Sequence, residues 1–151
     1  MTSCFYVLGF FAVALGLVSA VTDEEREAVR TAAQPIIDSC IQEYGISKDD
    51  LAAAKKAENF DGIDPCYFAC FFKKAGMIDE NGKYDVETTE EKNKKYIKGE
   101  DDLAKLAGIR NTCASVNDQE VGDGDKGCER SKLLLNCFLK EKAEFTLFTY
   151  I

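Results

Sequence analysis

The chain has 151 residues, with 27 acidic against 19 basic side chains, a formal charge of −8 and no histidine. Such an acidic protein is repelled by phosphate backbones and anionic lipid surfaces, which argues against nucleic-acid and membrane-surface roles. Without histidine, histidine-based triads, histidine-assisted zinc sites and phospholipase-type dyads are excluded.

In chain order, residues 1–20 carry an apolar stretch, 5–18, that ends on the small residues Val18 and Ala20 and meets Thr22, Asp23, Glu24 and Glu25. This stretch is short for a membrane span and has acidic flanks, so it reads as a secretory signal peptide. Its removal would also remove Cys4. The 131 residues from Val21 to Ile151 then suit one domain with a modest core.

That domain reads as helical almost throughout. Thr22 with Glu25 forms a capping box, and Val29, Ala32, Ala33, Ile36, Ile37 and Cys40 follow at helical spacing to a stop near Gly45, with a kink expected at Pro35. Ser47 with Asp50 starts a second helix to about Glu58, closed by the turn formers Asn59, Asp61 and Gly62. Asp64 as N-cap with Pro65 in first position opens a third, aromatic helix that runs to Gly76.

Residues 79–85 read as a polar loop around Gly82, followed by helices over 87–98, 101–115 and about 129–144. Between the last two, 117–127 is rich in Asp and Gly. Measured against a calcium-binding helix–loop–helix this segment fails: the fifth position is Gly122 and the sixth, which requires Gly, is Asp123. No metal and no cofactor are expected, and no strand pattern is evident.

Six cysteines follow the leader: Cys40, Cys66, Cys70, Cys113, Cys128 and Cys137, separated by twenty-five, three, forty-two, fourteen and eight residues. An even set behind an export signal reads as a disulfide framework. Cys66 and Cys70 share a helix face, whereas Cys128 and Cys137 point to opposite sides of theirs, which favours bridges between helices. Six cysteines allow fifteen pairings, and spacing alone does not choose among them.

The three-residue and eight-residue gaps, together with the segment Cys70-Phe71-Phe72-Lys73-Lys74-Ala75-Gly76-Met77-Ile78-Asp79-Glu80-Asn81-Gly82, make the chain resemble the six-cysteine insect odorant-binding proteins, of the pheromone and general odorant-binding type. The resemblance implies an all-α fold of about six helices around an apolar cavity. It also implies interlocked bridges Cys40–Cys70, Cys66–Cys128 and Cys113–Cys137. The function it implies is a secreted, non-enzymatic carrier of small hydrophobic ligands such as odorants, pheromones or related lipids, in an extracellular fluid such as sensory lymph. Such a carrier would be a monomer or weak homodimer, with a membrane chemoreceptor as an indirect partner. The alternative is a disulfide-stapled scaffold acting through protein–protein contacts or defence.

The expected ligand-binding residues are apolar and aromatic: Tyr67, Phe68, Phe71, Phe72, Leu106, Ile109, Leu134, Phe138, Phe148 and Tyr150. Of these, Phe148 and Tyr150 lie in an uncharged tail, 145–151, expected either to lid the pocket or to pack outside the core. Tyr67, Tyr96, Tyr150, Thr112, Ser115 and Asn136 could orient a polar ligand group, and Lys73 or Arg110 could pair with a carboxylate. In related carriers acid-triggered release is often linked to histidine, so its absence predicts weak pH dependence of binding between neutral and mildly acidic conditions.

Overall fold

A computed structural model describes residues 21–141, which form six α-helices: α1 Asp23–Tyr44, α2 Lys48–Ala57, α3 Pro65–Lys74, α4 Val86–Tyr96, α5 Glu100–Cys113 and α6 Cys128–Glu141. Residues 1–20 and 142–151, with the expected signal peptide and tail, lie outside the described residues.

The helix starts follow from local chemistry. Thr22 accepts from the Glu25 amide at 3.2 Å while the Glu25 carboxylate accepts from the Thr22 amide at 2.8 Å, completing the capping box. Ser47 accepts from the amides of Asp49 and Asp50, and Asp64 from that of Cys66 with Pro65 in the first turn. Helix α1 runs through Pro35 and ends where Gly45 turns left-handed. The charged helix expected over 87–98 begins at Val86 with Asp85 as its cap and stops at Tyr96.

Two connections hold more structure than a loop. The 79–85 turn is pinned by an antiparallel bridge between Ile78 and Tyr84. Gly82, at φ +70°, has no room for a side chain, since a Cβ there would sit 2.8 Å from the Gly124 carbonyl. The Asp- and Gly-rich segment contains two short 3₁₀ turns, Ala114–Asp118 and Gly124–Lys126.

Helix α3 is the centre: Tyr67, Phe68, Ala69, Cys70, Phe71 and Phe72 are all buried. It packs against α1 and α6, while α4 lies on α5 and α5 on α6. Three disulfides fix this arrangement: Cys40–Cys70 joins α1 to α3, Cys66–Cys128 joins α3 to the start of α6, and Cys113–Cys137 joins α5 to α6. In the chain-entropy account each contributes about 3–4 kcal/mol by restricting the unfolded chain.

Candidate functional site

Two adjoining cavities open on the two sides of α3. The smaller, about 160 Å³, lies among α1, α3, α4, α5 and α6 and is lined by Val29, Ile36, Leu106, Ile109 and other apolar groups. The larger, about 430 Å³, lies among α1, α2, α3 and α6, with Ile37, Leu51, Phe60, Tyr67 and Phe68 in its wall. Phe71, Met77 and Phe138 belong to both, so the cavities are two lobes divided by three side chains. The larger is within the range of small-molecule sites, roughly 300–1,000 Å³, whereas the smaller is below it.

The dividing wall is an aromatic cluster. Phe138 meets Phe72 edge-on at 6.2 Å and Tyr84 at 5.9 Å, and Phe71 meets Phe72 at 5.6 Å. Met77, unbranched and adaptable, is the softest part of that wall.

Of the residues expected from sequence, Leu106 and Ile109 line the smaller lobe, Tyr67, Phe68 and Phe72 the larger, and Phe71 and Phe138 both. Leu134 lines neither and is fully buried, while its neighbour Leu135 reaches the larger lobe. Phe148 and Tyr150 lie outside the described residues. Among the polar candidates, Tyr96 and Arg110 face the smaller lobe, and Thr112, Ser115 and Asn136 face neither. Lys73 donates to the Asp125 carbonyl at 2.7 Å.

Sequence reasoning did not single out Tyr84, Thr89 or Lys92 in the smaller lobe, or Met77 between the lobes. The available signal for Tyr84 was its place just before the N-cap Asp85, where a hydrophobic residue folds back over the helix start.

Both lobes carry cations, Lys74, Lys92 and Arg110 in the smaller and Arg30, Lys48 and Lys55 in the larger, but an acidic side chain, Asp38, lines only the larger. Tyr84 is held by the Asn117 side chain, which accepts from the Tyr84 amide at 2.8 Å and donates to its carbonyl at 2.9 Å. Burial pushes the Tyr84 phenol up to about 12; the Thr89 hydroxyl and Arg110 charge pull it back only partly. Thr89 donates its own hydroxyl to the Asp85 carbonyl at 2.7 Å, and Tyr84 Oη meets no partner in hydrogen-bond geometry. Arg110 donates from Nη2 to Glu90 at 2.9 Å, but its Nε is buried without a partner. Burying a donor unpaired costs about 1–3 kcal/mol.

In the larger lobe, burial and the Asp38 charge raise the Tyr67 phenol to about 12. At its rim Asp38 accepts from Lys48 at 2.8 Å and from Gln34, and both bonds hold its carboxyl below the usual range. Among the described residues no three His, Cys, Asp or Glu side chains gather as metal ligands, and no helix is long and apolar enough to cross a membrane.

The PBP/GOBP family model matches residues 22–141. General odorant-binding protein 28a of Drosophila melanogaster is 32% identical over 131 residues, covering 85% of this chain and 87% of that protein. The solved structure of odorant-binding protein dmelOBP28a from the same fly superposes with a TM-score of 0.61 at 29% identity, covering 82% of this chain and 98% of that one.

Proposed function

The chain belongs to the PBP/GOBP family, and from that premise we propose that it is a secreted carrier that binds small hydrophobic ligands reversibly and moves them through aqueous fluid. The observation that carries this reading is the pair of adjoining apolar lobes on either side of α3, bounded by helices that three disulfides tie together. An apolar cavity costs about 24 cal/mol per Å³ in core-truncation series. Crosslinks that restrict the unfolded chain offset such a cost, so the fold tolerates space that a ligand can fill.

On this reading residues 1–20 direct export and are removed, leaving one domain from Val21 to Ile151. Odorants, pheromones or related lipids are the ligand class, bound without chemical change, and delivery toward a membrane chemoreceptor would be indirect.

The test is saturable binding of a fluorescent apolar probe to the oxidised, exported protein, with displacement by volatile alcohols, esters, aldehydes and fatty acids. Displaceable binding is the expected result. If correctly bridged protein binds no apolar probe, the carrier reading is lost and an interaction scaffold replaces it.

A further inference from the structure

Resting on the carrier reading, we propose that the smaller lobe receives the carboxylate head of an amphipathic ligand, with Arg110 and Tyr84 as the residues that select it, while the ligand's hydrocarbon chain occupies the larger lobe.

Charge comes first. The smaller lobe is lined by three cations, Lys74, Lys92 and Arg110, and by no Asp or Glu, in a protein of formal charge −8. Glu90, the partner of Arg110, is shared with Lys94, so one carboxylate answers two cations. Lys74 is paired with Glu43, but Lys92, which runs alongside Gly76, has no acidic partner among the described residues. The excess at this lobe is positive; the larger lobe also carries Arg30, Lys48 and Lys55, but with Asp38 in its wall, paired with Lys48, so charge alone does not choose between the lobes.

Unspent donors come second. Arg110 is 8% exposed and Tyr84 3%; the Nε of the first is buried without a partner, and the Oη of the second has only the neighbouring Thr89 hydroxyl, which already donates to the Asp85 carbonyl and lies outside hydrogen-bond geometry. Asp123 Oδ1, Arg130 Nε and Ser131 Oγ are also buried and unpaired, but those residues line neither lobe. A guanidinium has donors only, and a phenol that stays protonated at neutral pH adds another, so their complement is an acceptor. An acceptor that is also anionic uses the positive excess, and charge-assisted bonds are the stronger kind.

Space comes third. About 160 Å³ suits a head group and the first carbons of a chain, and the remainder must pass Phe71, Met77 and Phe138 into the 430 Å³ lobe. The thioether of Met77 can change rotamer to let it through.

A twelve-carbon series discriminates: dodecanoate, methyl dodecanoate and dodecan-1-ol, each displacing a fluorescent apolar probe at neutral pH from the exported, disulfide-bonded protein. Dodecanoate should bind about tenfold more tightly than the alcohol or the ester. Tyr84→Phe, which deletes a hydroxyl without a partner in hydrogen-bond geometry, should keep the fold and weaken dodecanoate about fivefold, a larger loss than for the probe, the ester or the alcohol. Arg110→Met should weaken it about tenfold or more.

Equal binding of acid, ester and alcohol would overturn the carboxylate assignment, as would an equal loss for probe and acid in Tyr84→Phe. Arg110→Met also orphans Glu90, so Tyr84→Phe decides the matter if that variant does not fold. Failure of the probe itself to bind the unmodified protein is a different result, which removes the carrier reading.

Discussion

Helices α2 and α3 are both ten residues long, both open on a side-chain cap and both border the larger lobe, yet they are held in opposite ways. Every residue of α3 from Tyr67 to Phe72 is buried, and Cys66 and Cys70 bind it covalently to α6 and α1. No residue of α2 is buried and none is a cysteine; Leu51 and Ala54 touch the core, and Lys48 pairs with Asp38 at the surface. Capping starts a helix, but burial and crosslinking decide how firmly it stays. The larger lobe therefore has one fixed wall and one lightly held wall, an arrangement that, on the carrier reading, would let a ligand enter without unfolding the core. Native-state hydrogen exchange should find α2 amides exchanging far faster than those of α3; equal protection would dissolve the contrast.

The strongest way to break the contrast is to release α3. Replacing Cys66 and Cys128 together by Ala opens the bridge with the widest separation, 62 residues, and should cost about 4 kcal/mol, read as a lower denaturation midpoint. Next is Leu134→Ala, at a fully buried site on the helix that α3 packs against, expected to cost about 3 kcal/mol with probe affinity reduced less than for a truncation at Phe138. A Leu134→Ala variant that loses the ligand but not stability would mean that Leu134 is part of the site after all.

On the α2 side the same kind of change should do little to global stability. Ser47→Ala removes the cap and is expected to cost about 1 kcal/mol at most. Lys48→Ala breaks a pair whose side chains are 71% and 46% exposed and screened by solvent, so global stability should not change measurably. Either variant should instead speed probe association and dissociation, because the wall it loosens borders the lobe. Unchanged rates in both would show that α2 is not the entry side.

The same contrast explains what was legible in the sequence. Caps at Thr22, Ser47 and Asp64 act within three residues, so they could be read directly, and the aromatic run of α3 declares a buried helix. The pairing of six cysteines could not be derived from spacing and came through the family likeness, because many pairings satisfy helical phase. Tyr84 was missed because its placement depends on distant partners: Asn117 clasps its backbone, and Gly82 lets the turn close against Gly124. Leu133, Leu134 and Leu135 look alike in sequence, and only the packing of α6 sends Leu135 to the lobe and Leu134 into the core. The division into two lobes is likewise a property of assembled side chains.

The smallest expected effect is that of mild acid, and it concerns the other side of the molecule. With no histidine, the described groups with displaced acid equilibria near that range are carboxylates held low. Glu25 is lowered chiefly by accepting the Thr22 amide and then the Lys98 amide, the latter at 2.7 Å, which ties the start of α1 to the corner between α4 and α5. Asp85 is lowered by the Thr88 amide it caps at the start of α4. A carboxyl whose folded pKa lies below its unfolded value stabilises the fold above that unfolded value, 4.5 for Glu25 and 3.8 for Asp85. The contribution disappears as pH falls through the folded pKa. Thermal stability and probe affinity should therefore stay nearly flat from about pH 7 to about 5.5, where no histidine titrates, and fall only below about 4.5. Helices α1, α4 and α5 enclose the smaller lobe, so binding there should weaken before the disulfide-linked α3 lets go. Glu25→Gln should blunt this acid decline while lowering stability slightly at neutral pH. A steep loss of binding between about pH 7 and 5.5 would contradict the assignment and require a carboxyl raised by burial in the lobe.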